Sequence, residues 1–197
     1  MSSFDLNSIL CQMKEHGMCL PPERILIKLP ESKKVLEETM RFFINLEGRN
    51  LIWLKEYDEV AQWLGDNNKR GLFLYGNCGR GKTILTRYAL PAILLKYFRK
   101  IVSYFDVQEM NANLDSVLSK HIIALDDIGT EELTVSYGNK RVAFMEVIDA
   151  AEKRGKLLII SSNLGKDELI QKYGDRVFDR IVSTTKRVLF KGESLRK

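Results

Sequence analysis

Nowhere does this chain sustain an apolar run of the roughly 18 residues that a membrane-crossing helix needs, which rules out such a span. Its start, Met1-Ser2-Ser3-Phe4-Asp5, lacks the basic stretch and apolar core of a secretory signal, and a cytoplasmic location without membrane attachment is expected. Cysteines are few. Cys11, Cys19 and Cys78 are odd in number and have no C-x-x-C spacing. They fit a reducing compartment and make neither a disulfide framework nor a zinc site. No repeat, low-complexity tract or long linker divides the chain. What remains is 197 residues, enough for one domain with a small appendage. The net charge of +5 mildly favours a polyanionic partner.

Against these absences stands one stretch, Gly76-Asn77-Cys78-Gly79-Arg80-Gly81-Lys82-Thr83. It reads G-x-x-x-x-G-K-[ST]. An apolar run, Leu72–Tyr75, precedes it, and a mostly apolar segment from Ile84 to Phe98 follows. Strand, glycine loop and helix are the context in which backbone N–H groups form an anion nest and the helix adds its positive end. Lys82 then supplies a point charge to the β- and γ-phosphates, and Thr83 a hydroxyl for Mg²⁺. The stretch from Gly76 to Ile84 is the expected nucleotide-binding segment.

Residues 1–50 read as a helical N-terminal extension. Phe4, Leu6, Ile9, Leu10 and Met13 recur at helical spacing up to Gly17. Pro21-Pro22 breaks the chain, and Ile25-Leu26-Ile27 is a short strand or an extended linker. A second helix is predicted from Lys33 to Leu46, with Val35, Leu36, Met40, Phe43 and Ile44 on one side and Gly48 ending it. The extension either packs on the core or serves as a partner-binding arm. Within 51–70, Trp53 and Tyr57 either fill core or lie beside an adenine.

Five short continuous apolar runs follow: Leu72–Tyr75, Ile101–Phe105, Ile122–Leu125, Leu157–Ile160 and Val188–Phe190. Continuous runs fit strands buried on both faces of a parallel sheet, and the intervals are long enough for helical crossovers. That is a three-layer α/β design over 51–197. Pro91 should kink or split the helix after the glycine loop.

Two acids, Asp126 and Asp127, end the third run. Ligands collect at that edge of an open parallel sheet. Asp126 is placed to hold Mg²⁺ opposite Thr83, and Asp127 to orient or deprotonate an attacking water. Asn163 ends the fourth run, placed to sense a γ-phosphate and hold that water, or to cap the next helix. Arg176 and Arg180 share a helix face. Either could act on a neighbour's γ-phosphate as an arginine finger, with Arg180 favoured, or form surface ion pairs with Asp175 and Asp179. Arg196 either folds back onto its own nucleotide or frays with the C-terminus.

Taken in order, the glycine loop, Asp126-Asp127-Ile128-Gly129-Thr130-Glu131, Ser161-Ser162-Asn163-Leu164 and Gly174-Asp175-Arg176-Val177-Phe178-Asp179-Arg180-Ile181 resemble the bacterial helicase-loader family of AAA+ ATPases, the DnaC/DnaI type. The likeness covers about 51–197. It implies a P-loop NTPase fold of the AAA+/ASCE kind, with a five-stranded parallel sheet in the order 51432. It further implies slow ATP hydrolysis, nucleotide-dependent homo-oligomers, contact with single-stranded DNA and a replicative helicase as partner. The resemblance makes Lys82 and Thr83 Walker A, Asp126-Asp127 Walker B, Asn163 sensor 1 and Arg180 the finger. Arg196 becomes a sensor-2-like arginine, through Gly192-x-Ser194-x-Arg196. Cys78 stands where the family usually has proline, and the N-terminal arm lacks the cysteine cluster of some loaders. Lys186, Arg187 and Lys191 are compatible with a nucleic-acid surface. A transposition helper ATPase resembling IstB is the alternative within the clade. A small-molecule kinase is the alternative from another class, disfavoured by the paired acids and the trans-type arginine.

Overall fold

The computed structural model describes residues 5–130, 135–136, 139–140 and 143–195. All five apolar runs become parallel strands: Gly71–Gly76 (β1), Ser103–Asp106 (β2), Ile122–Ile128 (β3), Leu157–Ser162 (β4) and Thr185–Phe190 (β5). Their order across the sheet is β2-β3-β4-β1-β5, which from the other edge reads 51432 as expected. A two-residue antiparallel pair, Val135–Ser136 with Asn139–Lys140, is a further element that the sequence did not announce.

Residue parity sorts the strand side chains into two cores, since successive residues of a strand point to opposite faces. Leu72, Leu74, Ala124 and Ile159 join one apolar cluster, and Phe73, Ile123, Leu125, Leu158 and Ile160 the other. Helices Ser32–Leu46, Lys55–Gly65 and Leu90–Phe98 cover the first face. Helices Ala143–Arg154, Lys166–Tyr173 and Asp175–Thr184 cover the second. The three layers follow directly from strands that are apolar on both sides.

The helix Leu6–Glu15 buries none of its residues. Ser32–Leu46, by contrast, buries Leu36, Met40 and Ile44, a stripe at intervals of four, in the same core as the sheet. Between these helices Ile25–Ile27 is extended but joins no sheet. Asn67 holds it. Its Oδ1 accepts the Ile27 N–H at 2.8 Å, its Nδ2 donates to the Ile25 carbonyl at 3.0 Å, and its own N–H donates to the Ile27 carbonyl at 3.1 Å. Asn67 is buried, so every one of these bonds replaces a lost bond to water.

After the glycine loop the helix runs as Lys82–Ile84, a π-helical turn Leu85–Ala89, and Leu90–Phe98. Pro91 explains the interruption. It has no N–H to offer the preceding turn, and the ladder there widens, with the Leu90 N–H donating to the Leu85 carbonyl five residues back.

Asn67→Ala removes the latch and leaves buried backbone groups unpaired. It should destabilise the fold by about 2 kcal/mol, a fall in Tm of roughly 4–8 °C. Thermal denaturation followed by circular dichroism measures it, and an unchanged Tm would remove the latch from the account.

Candidate active site

Because all five strands are parallel, their carboxyl ends share one edge, and everything polar that the sequence singled out on β1, β3 and β4 arrives there. β4 lies between β1 and β3, which leaves a crevice between the loops that follow them. A cavity of 620 Å³ fills it, lined by Gly79, Gly81, Lys82, Thr83, Asp127 and Asn163 among others. The parallel register thus brings together residues from three separate motifs.

Lys82 is buried, and its ammonium donates to the carbonyls of Gly76 and Asn77 at 2.8 and 2.7 Å. Two carbonyls hold the charge at the mouth of the loop. Gly81 has φ +83°, and a Cβ there would stand 2.4 Å from the Tyr57 hydroxyl. That hydroxyl donates to the Arg80 carbonyl at 3.0 Å. Burial, only partly offset by the Arg80 charge, pushes the Tyr57 phenol up to about 12, so it remains a donor at neutral pH.

The Arg80 side chain does not line the first cavity. Its Nε and Nη2 donate to Glu56 Oε1 at 3.2 and 2.8 Å, and its Nη1 donates to the Glu193 carbonyl at 3.1 Å. Glu56 Oε1 also accepts the Lys191 N–H at 3.1 Å. Two further bonds bring the C-terminal segment against the loop: the Asn77 N–H donates to the Phe190 carbonyl at 2.9 Å, and the Leu195 N–H donates to the Gly79 carbonyl at 2.9 Å. Arg80 is therefore a buckle that joins the loop to helix Lys55–Gly65 and to the segment after β5.

On β3, register slips between Leu125 and Ile128, where three residue steps face two on β4. Asp126 and Asp127 occupy this bulge, and Asp127 has φ +55°. Bulges re-aim side chains beside sites, and a left-handed aspartate is an unusual conformation held by its surroundings. The holding groups are visible. The Asp127 N–H donates to Ser161 Oγ at 3.0 Å, and Thr130 Oγ1 donates to the Asp127 carbonyl at 3.0 Å. Asn163 Nδ2 donates to Asp127 Oδ1 at 2.9 Å. Asp126 points inward and is buried. Its Oδ1 accepts from Ser161 Oγ, and its Oδ2 from the Tyr104 hydroxyl at 3.4 Å. Burial and then the Asp126 charge raise the Tyr104 phenol to about 12. Thr83 and Asp126 are hard oxygen donors of the kind Mg²⁺ takes. No cluster of three histidines, cysteines or carboxylates that could hold a metal ion stands among the described residues.

A second cavity, of 670 Å³, adjoins the first through the shared residues Arg49, Gly79, Gly81 and Ile84. Ile44, Ile52, Ile84 and Leu195 supply its aliphatic walls, with Asn50 and Tyr57 as polar neighbours. The first cavity carries charged groups such as Lys82 and Asp127, and the second is walled largely by aliphatic side chains. Trp53 is not on either cavity. It stacks edge-on to Tyr57, and its Nε1 donates to Asp58.

Arg180 is away from both cavities and forms ion pairs with Asp149 and, at 2.9 Å, with Glu152. Its neighbour Arg176 is exposed and has no ion pair among the described residues. Arg196 lies outside the described residues. Of the basic residues near the end, Lys186 is held by the Glu59 carbonyl at 3.0 Å and Gln62 Oε1 at 3.4 Å. Sequence reasoning missed Glu56, Tyr104 and Ser161 as supporting groups. Only Ser161 left a signal, as a polar residue just before Asn163 at the end of a buried strand.

The sheet order, the loop after β1, the acidic pair on β3 and the asparagine after β4 define a P-loop NTPase fold of the AAA+ type. Solved structures bear this out. The chain is similar to the DnaC helicase loader (TM-score 0.53, 24% identity, covering 62% of this chain and 78% of that one). It is similar to DnaI (TM-score 0.50, 22% identity, 64% and 73% covered). It is also similar to AMPPCP-bound DnaA from Aquifex aeolicus (TM-score 0.53, 18% identity, 73% and 49% covered). At these identities the likeness is one of fold. No family model matches the sequence, and no curated protein matches it.

Glu56 gives the buckle a sign in pH. Burial opposes its charge, but backbone N–H groups and Arg80 outweigh that and hold its pKa below the ordinary glutamate value. A depressed carboxyl stabilises the fold above its unfolded pKa and loses that contribution as pH falls through the folded value. Urea denaturation across pH 3–7 should therefore show wild-type stability falling on the acid side. Glu56→Gln should be less stable by about 2 kcal/mol at pH 7 and have a shallower acid limb. Identical acid limbs would contradict the assignment.

Proposed function

We propose that this chain is an ATP-binding, slowly hydrolysing AAA+ protein that acts in DNA replication as a helicase loader or primosome component on single-stranded DNA. The observation that carries the ATP reading is the convergence of Lys82, Thr83, Asp127 and Asn163 on one cavity with an apolar cavity beside it. The replication reading is supported by the fold likeness to DnaC and DnaI and by the motif resemblance, and has the replicative helicase as its partner.

In this reading the loop N–H groups and Lys82 bind the β- and γ-phosphates, and the second cavity takes the adenine. Mg²⁺, held by the Thr83 hydroxyl and on the Asp126 side, would neutralise charge across the β- and γ-oxygens. Asp127, aimed outward by the bulge, accepts a proton from a water that Asn163 helps to hold. Tyr104 and Ser161 fix Asp126, and Ser161 also fixes the Asp127 backbone, so the two acids act in set positions. Arg180 serves the γ-phosphate of a neighbouring copy, exchanging its ion pairs with Asp149 and Glu152 for that phosphate when the chains assemble. Arg196 acts on the nucleotide of its own chain.

Three variants test the roles. Lys82→Ala abolishes nucleotide binding, measured with a fluorescent ATP analogue. Asp127→Asn binds ATP but hydrolyses it about 10²–10⁴ times more slowly. Arg180→Ala binds ATP and loses assembly-dependent hydrolysis by roughly 10³-fold. If Arg176→Ala shows that loss and Arg180→Ala does not, the finger is Arg176. Helicase association is tested separately by co-purification with and without residues 1–50, and no helicase in either sample contradicts the loader reading.

A further inference from the structure

The edge of the sheet opposite the nucleotide cavities carries a broad groove of 1110 Å³. Its floor is the amino ends of three strands: Ser103 opens β2, Ile122 opens β3, and Gly155 precedes β4. Residues 23–26 of the N-terminal region form one wall. That wall is built in tightly, since a Cβ on Gly155 would stand 2.4 Å from the Glu23 carbonyl. The opposite side is pinned by Lys156, whose ammonium donates to the carbonyls of Leu118 and Lys120 at 2.8 and 2.5 Å.

The lining is strongly one-signed. Arg24, Lys69, Lys100, Lys120 and Arg154 face a single lining carboxylate, Glu23. None of the five cations takes part in an ion pair among the described residues. Lys28, Lys33, Lys34, Arg41 and Arg49, by comparison, each pair with a nearby carboxylate. Like charges gathered without counter-charge repel one another. Burial and then the Arg154 charge lower the pKa of the Lys156 ammonium.

Two exposed aliphatic side chains complete the groove, Ile101 at 77% and Leu26 at 44% exposure. Among the described residues, no phenylalanine, tyrosine or tryptophan lines it. Single-stranded nucleic acid is gripped by cations together with aromatic faces on which bases stack. Cations together with aliphatic anchors fit an acidic peptide with branched apolar residues instead, because its carboxylates meet the charges while its side chains cover Ile101 and Leu26.

We infer that this groove is a docking site for an acidic, aliphatic-bearing segment of a partner protein, placed on the face away from the nucleotide. The site stands apart from the ATP reading, and its occupancy does not require nucleotide. A partner held here would leave the phosphate edge open to a neighbouring copy. It would also register the position of residues 23–26, which form part of the groove.

The test is fluorescence anisotropy on the full chain with two labelled probes, a short peptide of alternating glutamate and leucine and an oligothymidylate. The peptide should bind, weaken steeply with added salt, and lose affinity by about tenfold or more in Lys100→Glu/Lys120→Glu. Ile101→Ser should weaken the glutamate–leucine peptide and leave an all-glutamate peptide unchanged. Circular dichroism melts confirm that both variants are folded. Peptide binding should be the same in Lys82→Ala, so that failure of the nucleotide reading and failure of this one are told apart. If oligothymidylate binds and the double charge reversal removes it while the peptide is ignored, the groove is a nucleic-acid site and the inference is overturned. Binding of neither probe, or binding indifferent to the charge reversals, overturns it equally.

Discussion

The glycine loop keeps its shape because Arg80 ties it to two distant parts of the chain. The Glu56 carboxylate accepts from the guanidinium and from the Lys191 N–H, while the same guanidinium reaches the Glu193 carbonyl. A loop rich in glycine has much conformational freedom to lose on ordering. Here helix Lys55–Gly65 and the segment after β5 close on it from both sides, with Tyr57 bonded to the Arg80 carbonyl and Leu195 to that of Gly79. The loop is thereby held by contacts from within the chain. Arg80, inside the glycine motif, fastens the loop to helix Lys55–Gly65 and to the segment after β5.

What the sequence disclosed follows from how each feature is encoded. Strands buried on both faces must be apolar throughout, so all five were legible as continuous runs. Their ends were less so. β5 begins at Thr185, and Thr185-Lys186-Arg187 is too polar to look like a strand, because among the described residues β5 pairs only with β1 and its Lys186 and Arg187 are not buried. Ile101 was drawn into a strand on hydrophobicity alone, yet it is largely exposed and β2 starts at Ser103. The chemistry-bearing residues were legible because phosphate binding demands fixed types at fixed spacing. Their supports were not. Asn67 meets Ile25 and Ile27 across some forty positions, and Glu56 meets Arg80 across 24. The left-handed backbone at Asp127 has no signature in residue type, since it arises from a bulge between two strands. Asp149 and Glu152 claim Arg180 from a different helix, a pairing that no local pattern announces.

The two edges of the sheet divide the labour. At the carboxyl edge, the glycine loop, a buried lysine and oriented acids converge on one cavity. At the amino edge, uncompensated cations and two bare aliphatics present a broader surface. The helix Ser32–Leu46, Ile25 and Ile27 belong to the same core as β1, so the N-terminal region packs between both edges. Through Ile44 it reaches the apolar cavity beside the glycine loop, and through Arg24 and Leu26 it lines the basic groove.

The central claim is that ATP is held by one chain and its hydrolysis completed by the next. Steady-state release of phosphate per chain, measured in Mg²⁺-ATP over a wide range of protein concentration without any acceptor substrate, addresses it directly. The account predicts a slow rate per chain that climbs with concentration and then saturates as copies assemble. A rate per chain that stays constant from the most dilute to the most concentrated sample would contradict it.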